Sequence, residues 1–296
     1  MSIVGFFNPT TGRYHGLDDL EGIARVMEPA VLRDMVQREA ADEAHRGTSL
    51  TVTAALGCPR KLAIQRFLPT RPDPLKMWAA LAGTYLHEKF AELKKLDKGW
   101  TTEFNGGKAK CTFKGRLFGY DMTCRVDAFH VDETGRVDVI RDYKTSMSGA
   151  DKYVDARGAA KPEHAAQLNM CRLLMIQDGV QISPNVVMEA RVIGGGWAWS
   201  VAPLLDELAI GLTPVGVTKI PGRVWSAREL LDQVARLFAA IEAGRAPKLV
   251  IAEMPLVGLD MYKTKKWGTK DAQENNMCSA YCAVRRECDG LDGRGL

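Results

Sequence analysis

The chain has 296 residues, of which 46% are apolar and 26% charged, and 40 Lys and Arg against 36 Asp and Glu give a net charge of +4. This composition is typical of a folded globular protein and excludes a largely disordered chain. The sequence has no apolar run approaching the ~18 residues of a membrane-spanning helix, and its N-terminus has no secretory signal pattern. We therefore expect a cytoplasmic protein that does not enter membranes. The mild basic excess permits an anionic partner without requiring one.

Apolar residues three and four apart predict helices in the first third of the chain. The predicted helices cover residues 17–45, 53–67 and 77–96, and prolines follow the second of them. Beyond residue 100 the pattern changes to short alternating or β-branched segments separated by glycine-containing turns. These segments predict an antiparallel meander of strands over 101–104, 109–118, 122–131 and 137–144.

The remaining elements alternate between helices and strands. A loop over 145–162 is followed by a helix over 163–177, strands over 186–193 and 197–201, and a helix over 226–243. This order predicts an α/β protein with a single central mixed β-sheet flanked by helices.

Two acids and a lysine fall on the last strands of the meander. Alternation along 137–144 places Asp142 and Lys144 on one face, and a hairpin turn near Gly135 would bring Asp127 alongside Asp142. Carboxylates hold Mg²⁺ or Mn²⁺, and a neighbouring ammonium group can act on a water or a phosphate. For an isolated acid and lysine, a surface ion pair is the alternative interpretation.

The order of polar residues along the chain resembles the RecB-like branch of the PD-(D/E)XK nucleases. In chain order, the residues that carry the resemblance are His87 within Gly83-Thr84-Tyr85-Leu86-His87-Glu88, then Glu103, Asp127, Asp142, Tyr143, Lys144 and Gln167. The resemblance covers about residues 50–290. It implies a restriction-endonuclease-like nuclease domain over 50–296, preceded by an N-terminal helical segment over 1–49.

The resemblance also assigns roles to these residues. It implies that Mg²⁺ or Mn²⁺ is held by His87, Asp127, Asp142 and the carbonyl of Tyr143. Asp127, Asp142, Lys144 and Gln167 would be catalytic. The alternative for Glu103 is a solvated residue at a strand end.

Two positions depart from the pattern usual in that family. A glycine commonly stands three residues before the first acid, where this chain has Cys124, and a tyrosine four residues after the glutamine, where it has Cys171. We interpret both, together with Cys111, as small buried apolar residues.

Four other cysteines have a spacing that suggests metal binding. Cys278, Cys282 and Cys288 fall within eleven residues, and Cys58 precedes a proline far upstream. Four thiolates can hold a 4Fe-4S cluster or a zinc ion. The layout resembles the iron–sulfur RecB-like exonucleases, including the AddB nuclease domain and the CRISPR-associated RecB-like exonuclease, although their spacing is often C-x2-C-x5-C and here it is C-x3-C-x5-C.

That resemblance implies a 4Fe-4S cluster, with zinc or no metal as alternatives. The cluster would close a loop of about 220 residues and tie the C-terminal segment to the N-terminal helices.

Two segments combine cations with aromatic side chains, as surfaces that bind single-stranded nucleic acid do. The first contains Arg60, Lys61, Arg66, Phe67 and Arg71, and the second contains Tyr262, Lys263, Lys265, Lys266, Trp267 and Lys270. A solvated charged surface is the alternative interpretation of these segments. The resemblance implies that the partner is DNA, mainly single-stranded DNA or DNA ends.

The resemblance implies that the protein is a metal-dependent DNA exonuclease in recombination, repair or DNA processing. The alternatives are a non-catalytic DNA-binding module with a nuclease fold and a structure-specific endonuclease.

Overall fold

The computed structural model describes residues 3–46, 50–94, 98–102, 111–144, 160, 162–192, 198–218, 224–254, 257–258, 282 and 284–291. The chain forms two compact units that alternate along the sequence. The first unit comprises Met1–Thr48, Gly57–Leu81 and Gly216–Leu296, and the second comprises Ser49–Leu56 and Ala82–Val215. In the described part of the chain, no helix has the length and apolar character needed to cross a membrane.

The first unit begins with a hairpin that we did not predict. Strands β1 (Gly5–Asn8) and β2 (Arg13–Gly16) pair antiparallel, followed by a 3-10 helix (Leu20–Ile23) and helix α1 (Pro29–Arg46). The prediction of one helix over 17–45 is wrong at its start, because Pro29 occupies the first helical position, where its fixed φ angle is favourable. The hairpin, both helices and Leu81 share a hydrophobic core.

A second core of this unit joins four helices. They are α3 (Pro59–Phe67), α7 (Ala227–Glu242), α8 (Pro247–Glu253) and α9 (Arg285–Leu291). The core includes Ile64, Leu237 and Ile251 of the first three helices and Val284, which directly precedes α9. The helix predicted over 226–243 is confirmed, and the Ser226 and Glu229 side chains form a capping box at its start. A small sheet has the order β12-β11-β13, from strands β11 (Pro214–Thr218), β12 (Val224–Ser226) and β13 (Val257–Gly258).

The helix predicted over 53–67 is two helices in the structure. Helix α2 (Val52–Ala55) ends before Cys58, which is extended with φ of −71° and ψ of 118°. The ring of Pro59 disfavours a helical conformation at the residue before it. Helix α3 therefore starts at Pro59, with Cys58 immediately ahead of it.

The second unit contains a five-stranded sheet with the order β10-β9-β8-β7-β4. Its strands are β4 (Trp100–Thr102), β7 (Ala128–Val131), β8 (Val137–Lys144), β9 (Ile182–Val192) and β10 (Ala198–Val201). Strands β8 and β9 are parallel and the other neighbours antiparallel, so the sheet is mixed.

A three-stranded sheet of the same unit has the order β3-β6-β5, from strands β3 (Leu50–Thr51), β5 (Thr112–Leu117) and β6 (Tyr120–Arg125). Helix α5 (Pro162–Gln177) packs against both sheets. Helix α6 (Glu207–Gly211) follows β10. Of helix α4 (Pro74–Lys94), the residues from Ala82 onward belong to this unit. The α/β class with mixed sheets and flanking helices is confirmed, but the single sheet is wrong, because the described strands form four sheets.

Between Arg125 and Ala128 the chain passes from the three-stranded sheet to the five-stranded sheet. The strand predicted over 122–131 is interrupted, since β6 ends at Arg125 and β7 begins at Ala128. Between them, the Val126 N–H donates to the Cys111 carbonyl at 2.9 Å. The resulting corner places Asp127 at the start of β7, next to the end of β8.

Candidate metal centre

Asp127 and Asp142 meet at the end of β8. Ala128 pairs with Arg141 in the antiparallel ladder, so the preceding Asp127 faces the next residues of β8. The Tyr143 backbone N–H donates to Asp127 Oδ2 at 2.7 Å, which fixes that carboxylate in place. Asp142 is only 8% exposed. The sequence prediction that the two acids lie side by side agrees with this geometry.

Helix α4 brings His87 to the same point. Its Nδ1 atom lies 3.5 Å from Asp127 Oδ2, and its ring meets the Tyr143 ring edge to face, with centroids 6.2 Å apart. Burial lowers the pKa of His87, but the hydrogen bond and charge of Asp127 and the charge of Asp142 outweigh it, so the pKa is raised. Asp127 and Asp142 therefore favour the protonated form of His87.

Lys144 and Gln167 complete the group from β8 and α5. Lys144 Nζ lies 2.6 Å from Asp142 Oδ2 and donates to Gln167 Oε1 at 3.1 Å. The Gln167 amide in turn donates to Asp142 Oδ1 at 3.2 Å. The three side chains form a closed triangle of polar contacts.

Burial and charge act in opposite directions on this triangle. Burial raises the pKa of Asp142, Asp127 raises it further, and Lys144 opposes both, leaving the pKa raised. Burial lowers the pKa of Lys144, but Asp142 outweighs that effect and the pKa is raised. Lys144 is therefore a cation held beside two acids.

Thr53 is a member of this neighbourhood that the sequence did not indicate. The Gln167 amide lies 3.5 Å from Thr53 Oγ1, on helix α2. A threonine in a short helix is common, and no spacing in the sequence connects it to residues more than 100 positions away. Only the packing of α2 against α5 brings the two together.

The donor types of the group fit a hard divalent cation. Two carboxylates, an imidazole and the Tyr143 carbonyl would supply oxygen and nitrogen ligands of the kind that Mg²⁺ and Mn²⁺ accept. Within the described residues, no three His, Cys, Asp or Glu side chains converge as a formed metal-ligand group. Asp142 instead contacts Lys144 and Gln167, and Asp127 contacts His87 and the Tyr143 N–H.

Three of the four cysteines predicted to bind a cluster belong to the first unit. Cys58, Cys282 and Cys288 form no disulfide bond and are half-buried, and Cys282 and Cys288 pack against the second core of that unit. Cys58 stands immediately before α3, which contributes Ile64 to the same core. The fourth, Cys278, lies outside the described residues. Cysteine sulfurs suit either an iron–sulfur cluster or zinc.

The interpretation of the other three cysteines as buried apolar residues is confirmed. Cys111, Cys124 and Cys171 are at most 4% exposed, and Cys124 Sγ donates to the Cys171 carbonyl at 3.8 Å. A hydrogen bond with Cys124 and burial raise the pKa of Cys171 well above its usual value. The Cys171 thiol is consequently protonated and poorly nucleophilic.

The first of the two predicted DNA-binding segments lies within the described residues. Arg60 is 5% exposed and its guanidinium is engaged inside the first unit, so it does not present its charge to a DNA backbone. The Arg66 guanidinium lies over the Phe238 ring, 4.9 Å from the centroid, whereas Arg71 is exposed. Glu103 and the second segment, over 262–270, lie outside the described residues.

Comparisons with known proteins add little to this geometry. No protein-family model matches the chain, and no curated protein matches it. A solved structure described as the crystal structure of SSO0001 is similar, with a TM-score of 0.43 and 16% identity over 70% of this chain and 86% of that chain. Similarity at this level carries no argument about function, which depends on the residues themselves.

Proposed function

We propose that the chain is a metal-dependent deoxyribonuclease of the RecB-like PD-(D/E)XK type. More narrowly, we propose an exonuclease that hydrolyses single-stranded DNA or DNA ends in recombination, repair or DNA processing. One observation supports this proposal above all others: helix α4, the β6–β7 corner, β8 and α5 bring chemically matched side chains to one point. They are His87, Asp127, Asp142, Lys144 and Gln167.

Burial favours this function over a surface ion pair. A surface pair is exposed and contributes little to stability, whereas the Asp142 and Lys144 side chains are 12% and 26% exposed. Withdrawing charges from water costs free energy that a nearby opposite charge only partly offsets. Buried acids with a perturbed pKa are found disproportionately at functional sites.

Each residue has a role that follows from its position. His87, Asp127, Asp142 and the Tyr143 carbonyl would hold Mg²⁺ or Mn²⁺, which when bound supplies polarisation of the phosphodiester and a lower pKa for a coordinated water. Lys144 keeps its proton and directs positive charge toward a phosphate oxygen. Gln167 holds Lys144 and Asp142 at their mutual distance, and the Tyr143 N–H fixes the Asp127 carboxylate.

We propose in addition that Cys58, Cys278, Cys282 and Cys288 hold a 4Fe-4S cluster, with zinc as the alternative occupant. The support is that Cys58, Cys282 and Cys288 belong to one unit, in which Cys282 and Cys288 pack against the second core and Cys58 directly precedes α3. Iron, acid-labile sulfide and zinc content of protein purified without oxygen would distinguish the two. A broad absorption band near ~400 nm with about four irons per chain is expected for the cluster.

The nuclease proposal is tested on end-labelled linear single-stranded DNA with Mg²⁺, Mn²⁺ or a chelator. Cleavage that requires the metal ion and spares closed circular single strands is the expected result. Cleavage of the closed circles would indicate an endonuclease and not an exonuclease. DNA binding without cleavage under any metal would overturn catalysis and leave a binding module.

A further inference from the structure

The N-terminal hairpin has two aromatic rings on the face that is turned away from the first core. Phe7 of β1 pairs with Tyr14 of β2, and their rings meet edge to face with centroids 5.4 Å apart. Alternation puts the neighbouring Phe6 on the opposite face, where it belongs to the core shared with α1. Phe7 is 2% exposed, whereas Tyr14 is 41% exposed. The outer face therefore presents one covered ring and one open ring side by side.

Other parts of the first unit place two arginines over these rings. The Arg286 guanidinium lies 3.4 Å from the centroid of the Phe7 ring, and the Arg71 guanidinium lies over the Tyr14 ring, 5.5 Å from its centroid. A guanidinium above an aromatic ring is attracted to the ring face and keeps its N–H donors available at its edge. Of these four residues, the pattern of cations and aromatic side chains in the sequence indicated only Arg71.

Backbone contacts fix the positions of both arginines. The Phe7 N–H donates to the Pro72 carbonyl at 3.1 Å, so the segment that contains Arg71 runs along β1. The Arg71 N–H donates to Glu287 Oε1 at 2.9 Å, which ties the start of α9 to the same segment. Arg286, the residue before Glu287, is thereby held beside the hairpin. The fold itself places both cations on one face.

The segments that form this face supply little negative charge. The hairpin over 3–16 and the segment over 68–72 contain no Asp or Glu. Glu287 accepts from the Arg71 N–H with one oxygen, and its other oxygen is buried. In the part of the chain that the structure describes, neither the Arg71 nor the Arg286 guanidinium is ion-paired with a carboxylate. Both arginines are exposed, so their charge is accessible to an anion from solution.

We propose that Phe7, Tyr14, Arg71 and Arg286 form a binding surface for single-stranded nucleic acid, hereafter the hairpin face. The two guanidinium groups neutralise backbone phosphates, and the open Tyr14 ring stacks on an unpaired base, a contact that every base can make. A duplex keeps its bases paired and stacked within the helix, so it satisfies the cations without using Tyr14. The hairpin face needs no metal ion and shares no residue with the proposed metal centre.

The test is titration of the full chain with fluorescein-labelled oligo(dT), followed by fluorescence anisotropy in the presence of EDTA to prevent metal-dependent cleavage. Oligo(U), an abasic strand and a DNA duplex of equal length are titrated in parallel. The variants are Tyr14→Ala, Tyr14→Phe, Arg71→Gln and Arg286→Gln. Arg245→Gln is the matched charge control, because Arg245 is an exposed arginine of the same unit that pairs with Glu253 at 2.6 Å. Circular dichroism and melting temperature establish that each variant is folded.

The expected results separate stacking from charge. Tyr14→Ala should weaken binding of oligo(dT) about tenfold, because one base loses its stacking partner, and should leave binding of the abasic strand unchanged. Tyr14→Phe keeps the ring and should bind like the native protein. Each of Arg71→Gln and Arg286→Gln should reduce the slope of log K against log salt concentration by about 0.7, the value for one phosphate of a single strand, while Arg245→Gln leaves the slope unchanged. Tighter binding of oligo(dT) than of oligo(U), or the reverse, distinguishes DNA from RNA, and either agrees with the proposal.

Native affinity for oligo(dT) in folded Tyr14→Ala, or an equal loss for the abasic strand, would overturn the proposal. So would the same change of slope in Arg245→Gln, or binding of the duplex as tight as that of the single strand. Should Tyr14→Ala fail to fold, the exposed Arg71 decides: a slope reduced by about 0.7 in Arg71→Gln supports the proposal, and a native slope overturns it.

Cleavage of DNA is measured separately with Mg²⁺ or Mn²⁺, so the two proposals fail in different ways. Metal-dependent cleavage together with native binding in every variant would refute the hairpin face and leave the nuclease proposal standing. Binding that depends on Tyr14, without cleavage by the native protein, would support the hairpin face while the nuclease proposal fails.

Discussion

Replacing Asp142 by Asn is the most informative change at the proposed metal centre. The amide has nearly the shape of the carboxylate but removes its charge and one hydrogen-bond acceptor. We expect cleavage to fall by at least about 10³-fold, because a metal ligand and the partner of Lys144 are lost together. At 1.36 kcal/mol for each factor of ten, this is about 4 kcal/mol of transition-state stabilisation.

The same change has a smaller expected effect on stability. Removing one partner of a fully buried ion pair costs ~3–5 kcal/mol, but the Lys144 side chain is 26% exposed and its amine can turn toward water. We therefore expect a loss of about 2 kcal/mol, equivalent to a melting temperature about 3 °C lower at ~2.1 cal/mol/K of unfolding entropy per residue for 296 residues. Domains are typically stable by ~5–15 kcal/mol, so the variant remains folded at 25 °C.

The assay measures single-turnover cleavage of end-labelled DNA, DNA binding in the presence of Ca²⁺, and the melting temperature. Asp138→Asn is the matched control on the same strand, because Asp138 pairs with the His130 ring at 2.6 Å and lies outside the proposed centre. It should lose that pair and cleave DNA at the native rate. Metal-dependent cleavage by Asp142→Asn within tenfold of native, or equal loss in both variants, would refute the assignment of Asp142 as a ligand.

Two further changes test the other members of the centre. His87→Gln should raise the metal concentration needed for cleavage. Burial lowers the pKa of His87, but Asp127 raises it by more, so protons compete with the metal ion for His87 and the native protein needs less metal as the pH rises. His87→Gln should lose this pH dependence, and parallel pH profiles in metal titrations of the two proteins would contradict the assignment. In metal-free protein, the His87–Asp127 pair stabilises the folded state fully at pH values below the ordinary histidine pKa. This stabilisation is lost as the pH rises through the raised pKa of His87, so His87→Gln should lower the melting temperature at acid pH alone. Gln167→Met removes the contacts to Lys144 and Asp142 and should slow cleavage ~10–100-fold at unchanged metal requirement. Gln177→Met, which loses hydrogen bonds of 2.7 and 3.0 Å to the backbone of Arg116 at the end of the same helix, should cleave normally.

Local patterns were sufficient for the strand that carries the acid and the lysine. The bounds of β8 agree with the prediction of 137–144, because alternation and the turn at Gly135 are properties of neighbouring residues. Asp142 and Lys144 could be placed on one face for the same reason. The start of α7 was similarly encoded, in a serine and a glutamate three residues apart.

Features that depend on distant parts of the chain were not predictable in this way. Nothing in the local sequence shows that the strand predicted over 122–131 changes sheets at Val126 and Asp127, since the partners β3 and β8 are set by tertiary packing. The proximity of Thr53 to Gln167 has the same origin.

The N-terminal hairpin had a local signal in residues that precede the first predicted helix. Asn8 Oδ1 accepts from the Thr10 and Thr11 backbone N–H groups at 3.0 and 3.1 Å, and Gly12 has a φ of +72°. An asparagine followed by proline and, further on, glycine is a recognised turn composition.

The alternation of the two units along the chain has a consequence for biosynthesis. The unit that carries His87, Asp127 and Asp142 is complete once residue 215 has been made, whereas the other unit still lacks Gly216–Leu296. Domains begin to fold during translation once their residues have emerged, and contacts between distant segments form slowly. All residues of the unit that carries the proposed metal centre are therefore available for folding earlier in synthesis than those of the unit that contains Cys58.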